Sequence, residues 1–168
     1  MFNFIHQAEI IRKLDSYVKL HQSSLDIKAT GICNGLSTVH ARYCLEGRKD
    51  EFFNLLKYIS ETPVVSFSAE VSQLVVEIFV THIPQIFNQK LSQYTAYKAL
   101  SINGEPLICA LQVAMITNSA NWETIFKNID LRDNEAIVVI GHQHAVCISK
   151  EENGYLLYDP NNLSKPSH

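Results

Sequence analysis

Three residues with the chemistry of covalent acyl transfer occur in order along the chain. Cys33 lies in Gly31-Ile-Cys-Asn-Gly-Leu-Ser37, His144 in Gln143-His-Ala-Val-Cys-Ile148, and Asp159 in Leu157-Tyr-Asp-Pro-Asn161. A thiol is a weak nucleophile until a base or a helix N-terminus favours its thiolate, and an imidazole base needs a carboxylate to hold its tautomer. Cys33 as nucleophile, His144 as base and Asp159 as orienting acid would make a cysteine-dependent acyl-transfer site. His142 is the rival base, because it points to the same side of an extended strand as His144. Its place beside Gly141, at the strand entrance, assigns it to solvent or to a supporting position. His142 and His144 with Cys147 or Asp159 would form only part of a zinc ligand set, and Cys147 points to the opposite face. Neither a metal nor a cofactor is therefore expected.

The elements that must position these groups change character along the chain. Ile10, Ile11, Leu14, Tyr17 and Val18 recur at three-and-four spacing and predict an amphipathic helix from about Gln7 to Leu20. Leu36, Val39, His40 and Tyr43 repeat the pattern from Cys33 to about Glu46, with Gly47 as its stop. A third helix opens at Asp50 and Glu51 with Phe52, Leu55, Leu56 and Ile59 on one face. A fourth starts at a Ser68 cap and buries Val71, Leu74, Val75, Ile78 and Phe79, until Pro84 ends or kinks it. The stretch from Gln89 to Ile102 is ambiguous, and Asn103-Gly104 marks a turn. Leu107, Leu111, Ala114 and Met115 favour helix, and a further short helix runs from Trp122 to Ile129, entered from Asn121.

From Glu135 the period becomes that of strands: Ala136 to Ile140, His144 to Ile148, and Tyr155 to Asp159. The expected fold class is α+β, an N-terminal helical part carrying the Cys33 helix against a C-terminal antiparallel sheet carrying His144 and Asp159. Cys33 at a helix start would meet unpaired backbone N–H groups and the positive end of the macrodipole, with Gly31 and Gly35 leaving the thiol uncrowded. Pairing Ser149 with Gly154 across a four-residue loop would set His144 directly opposite Asp159, with Cβ atoms about 4.5 to 5.5 Å apart. A two-residue Asn153-Gly154 turn would instead pair Glu152 with Tyr155 and move Asp159 opposite Ile148. The longer loop is preferred because the alternative extends a solvated Glu-Glu tip.

The bulk numbers bound the rest. With 168 residues, 46% of them hydrophobic and 18% charged, the chain is expected to form one globular domain over residues 1–168. Its net charge of -3 and singly scattered basic residues argue against nucleic acid as the main partner. No apolar run reaches the roughly 20 residues that span a bilayer, and the N-terminal residues lack the pattern of a Sec-type leader. Cys44, Cys109 and Cys147 sit in apolar stretches and read as small buried hydrophobes in a reducing compartment. The last strand offers an open edge, which either another element covers or which marks the chain as part of a longer one.

The residues resemble a known pattern, that of papain-like cysteine proteases and, within that clan, the YopT/AvrPphB-type family of bacterial effector proteases. The likeness rests on Gly31-x-Cys33-x-Gly35-Leu36-Ser37, His144-Ala145-Val146 and Tyr158-Asp159-Pro160-Asn161, and extends to effectors of intracellular bacteria such as Legionella. It implies a papain-like fold, Cys33, His144 and Asp159 as catalytic triad, a host protein as substrate, and delivery into the host cell by a specialised secretion system. Thr38, Val39 and His40 stand where the family commonly has an aromatic residue, and Ile27 and Lys28 occupy the stretch that holds its oxyanion side chain. Gln22, Lys28 and Asn34 are the substitutes considered, with the Cys33 backbone N–H as the assigned donor. The same triad would serve a transglutaminase or a glutamine deamidase, and the same fold could be a non-catalytic binding module.

Overall fold

The structure, a computed structural model, describes residues 7–21, 31–116 and 118–162. It is α+β, with helices α1 (Gln7–Leu20), α2 (Cys33–Leu45), α3 (Lys49–Glu61), α4 (Ala69–His82), α5 (Pro84–Phe87) and α6 (Ser119–Asn128). A two-residue pairing joins β1 (Ser101–Ile102) to β2 (Glu105–Pro106). The strands β3 (Ala136–Ile140), β4 (Ala145–Glu151) and β5 (Gly154–Tyr158) form an antiparallel sheet in that order. Among the described residues no helix is long and apolar enough to cross a membrane.

The apolar stripes end where expected. Ile10, Leu14 and Val18 of α1, Phe52, Leu55, Leu56 and Ile59 of α3, and Val71, Leu74, Val75, Ile78 and Phe79 of α4 are buried in one core cluster. Ser68 caps α4 by accepting the Val71 N–H, and Pro84 occupies the first turn of the short α5. Gly47, at φ +70°, closes α2: its N–H donates to the Cys44 carbonyl and the Arg48 N–H to that of Tyr43, the paired bonds of a Schellman stop.

α2 is the helix around which the rest is arranged, packed on α4 to one side and on β3 and β4 to the other. Every residue from Asn34 to Tyr43 is buried, polar ones included, so each polar group needs a partner inside. Arg42 pairs with Glu46 (2.6 Å) and Glu77 (2.7 Å), and Ser37 donates its hydroxyl to the Ala145 carbonyl (3.0 Å). Gly35 permits the contact with α4: a Cβ there would lie 2.5 Å from the Ile78 carbonyl oxygen.

Four expectations are corrected. Residues 107–116 are not helical: the Asn103-Gly104 turn, with both residues at positive φ, folds β2 back on β1, and the chain then runs without regular structure. Leu107 still packs at the edge of the core, but beyond it Ile108 is 88% and Leu111 79% exposed, and an isolated helix gains little without a buried face. Cys109 is accordingly exposed and Cys44 only half-buried, so Cys147 alone of the three is a core thiol. α6 begins earlier than expected, with Asn118 rather than Asn121 as its cap. In the last hairpin Glu151 pairs with Gly154, a register between the two considered, because Gly154, at φ +148°, takes the glycine-favouring conformation at the first position of β5 rather than inside the turn.

Candidate active site

Cys33 is the first residue of α2 and is half-buried. Gly31, at φ +86°, turns the chain into the helix, and the fully buried Ile32 side chain anchors the entry. The cap residue of α2 is Ile32, whose side chain has no acceptor to offer, and the first-turn N–H groups, which have no partner within a helix, lie at the end of α2 that carries Cys33. Across from it the Cys33 Sγ lies 4.0 Å from the carbonyl oxygen of Gln143, the residue before His144. Gly31 therefore serves backbone direction and Gly35 helix packing, whereas the expectation gave both the task of clearing space for sulfur.

His144 sits just before β4, not within it, in the connection closed by the Gly141 N–H donating to the His144 carbonyl (2.8 Å). With Glu151 paired to Gly154, Asp159 falls opposite Val146, and His144 is its diagonal neighbour. Such neighbours are about 7 to 8 Å apart at Cα, within reach of long side chains. The reach is made: His144 Nε2 is 2.8 Å from Asp159 Oδ1. Asp159 Oδ1 also accepts the Asn161 N–H (2.8 Å), and the Asp159 carbonyl accepts that of Asn162 (2.8 Å). Asp159 thus both builds a turn and orients the imidazole.

His142 is exposed in the β3–β4 connection. Cys147 faces the core, where burial pushes its thiol well up from the ordinary range. Among the described residues no group of three or more His, Cys, Asp or Glu side chains is placed to hold a metal ion. Asn34 is removed as an oxyanion donor, because its buried amide already donates to the Thr81 carbonyl (3.1 Å) and the Gln93 carbonyl (3.4 Å). Gln22, Ile27 and Lys28 lie outside the described residues.

Two supports of the site went unassigned in the sequence. His40, two turns along α2 on the same face as Cys33, is fully buried and stacks on Tyr158 with ring centroids 4.1 Å apart, fixing the strand that delivers Asp159. Burial, followed by the charge of Lys49, lowers its pKa from 6.5 to about 3, so the ring is neutral. Ser37, one turn after Cys33, ties α2 to the residue after His144. Its signal was present in the Gly-Leu-Ser run, but nothing local tells a buried serine with a distant partner from an ordinary helix residue.

No family model, curated protein or solved structure matches the chain.

Proposed function

We propose that the chain is a cysteine-dependent hydrolase with a papain-like arrangement of Cys33, His144 and Asp159, acting on a protein substrate. The observation that carries this reading is the 2.8 Å His144–Asp159 hydrogen bond beside a helix-start cysteine whose sulfur lies 4.0 Å from the Gln143 carbonyl. With Nε2 engaged by Asp159, Nδ1 is the ring nitrogen left for the thiol.

In that reading the Cys33 thiolate attacks the scissile carbonyl carbon and His144 holds the proton. The oxyanion is stabilised by backbone N–H groups of the first turn of α2, that of Cys33 foremost, since the Asn34 amide is spent. His144 gives its proton to the leaving amine, and a thioester forms. Water, relieved of a proton by His144, then attacks the thioester and releases the acid product and the thiol. Asp159 holds the tautomer and the positive charge that develops on the ring. The sequence likeness adds that the substrate is a host-cell protein and that the enzyme reaches it through a specialised secretion system.

The engagement of the Asn34 amide favours a second reading, a binding module with this arrangement and no turnover. Incubation with a peptide library, read by mass spectrometry, separates the two. Cleavage products that disappear in Cys33→Ser support the hydrolase. Amide-to-acid conversion of glutamine side chains without backbone cleavage would assign deamidation, and no product from either protein would assign the binding module.

A further inference from the structure

We propose that Ser37 is a positioning residue for the catalytic pair, its hydroxyl replacing a missing strand donor at Ala145 and so bolting the Cys33 helix to the His144 strand; this rests on the function proposed above. The sheet's own geometry creates the vacancy. The Gly141 N–H donates to the His144 carbonyl, so the backbone groups of His144 point toward β3 and those of Ala145 toward β5. The β4–β5 pairing runs from Glu151 with Gly154 to Cys147 with Tyr158. Two residues further along that line stands Pro160, which has no N–H to give. The chain there also turns away into the Asp159–Asn162 bridge that shapes the acid's turn.

Ala145 is buried, and a buried carbonyl without a donor is costly. Ser37, fully buried on α2, supplies the donor at 3.0 Å across 108 residues of sequence. The other side of the same helix turn is held as firmly. Gly35 lies against the Ile78 carbonyl, and the Asn34 amide donates to the carbonyls of Thr81 (3.1 Å) and Gln93 (3.4 Å). α2 is therefore clamped between α4 and the start of β4 at the turn that carries Cys33. Ser37 is the side-chain hydrogen bond of that clamp that ends on the His144 side.

The test compares Ser37→Ala with Ser37→Thr, which keeps the hydroxyl. The readout is the rate of iodoacetamide alkylation of Cys33, resolved by peptide mapping, at about pH 6 and about pH 9. Ser37→Ala should lower the rate at the acidic pH by about 10- to 100-fold, as expected for an ångström-scale misplacement of paired groups, and change it little at the alkaline pH. Ser37→Thr should restore the parent ratio. Ile59→Val, a core truncation on α3, controls for lost stability and should leave the ratio unchanged. Where Ser37→Ala does not fold, Ser37→Cys fills the space with a weaker donor and should give an intermediate ratio. A parent-like ratio in folded Ser37→Ala, or an equal change in Ile59→Val, overturns the positioning role while leaving the triad standing. A parent Cys33 no more reactive than the exposed Cys109 overturns both.

Discussion

Replacing His40 by phenylalanine should remove much of the protein's acid sensitivity. The ring lies between Tyr158, 4.1 Å away, and Phe52 and Phe53, with Cys44 Sγ 3.5 Å from Nδ1 and the charge of Lys49 acting on it. Its folded pKa of about 3 lies below the 6.5 of the free side chain, so between those values the unfolded chain binds the proton that the folded one refuses. The associated stability is complete above about pH 6.5 and is lost as the pH falls. Each unit of pH costs about 1.4 kcal/mol in that window, so the step from pH 7 to pH 5 removes about 2 kcal/mol. At a urea m-value of about 2 kcal/mol/M the midpoint moves by about 1 M. His40→Phe, measured by urea unfolding at both pH values, should lose less than the parent by that amount, and any overpacking cost cancels in the difference. His82, lowered in the same direction by its own burial, leaves a residual slope in both proteins. An identical pH dependence in the two proteins would show that His40 is not held as a buried neutral ring.

Cys33→Ser should keep the parent's thermal unfolding midpoint and lose hydrolysis altogether, measured on any peptide the parent cleaves. Asp159→Asn should lower kcat by a few powers of ten, in line with the loss when a serine-protease triad loses its acid, while circular dichroism stays that of the parent. Gly35→Ala forces a Cβ to within 2.5 Å of the Ile78 carbonyl, so it should cost roughly 1 to 3 kcal/mol in urea unfolding and lower activity by displacing α2.

What the sequence disclosed was what depends on local periodicity. The stripes of α1, α3 and α4 each face one core, and the Ser68 cap and the Gly47 stop act through residues a turn away. α2 was placed correctly, but its polar residues were not understood, because Ser37 and Asn34 find their partners, and Arg42 its second carboxylate, 35 to 108 positions away. The hairpin register depended on which position would take the glycine conformation, and three turns differing by a residue or two are compatible with Glu152-Asn153-Gly154. The expected meeting of His144 and Asp159 survived this error, since a diagonal contact bridges the same pair as a direct one. Residues 107–116 misled for the opposite reason: their apolar spacing suits a helix, but after the β1–β2 turn only Leu107 reaches the core's edge, and Ile108 and Leu111 are left exposed.

The central claim is that Cys33 is activated by His144, and the rate at which each cysteine is alkylated tests it most directly. Cys33, half-buried at a helix start, and Cys109, exposed, are read together by mass mapping after brief iodoacetamide treatment near neutral pH. Cys33 should react faster than Cys109 in the parent and in His142→Ala, and should lose that advantage in His144→Ala. Equal rates for the two thiols in the parent, or an advantage that persists in His144→Ala and vanishes in His142→Ala, would contradict the assignment.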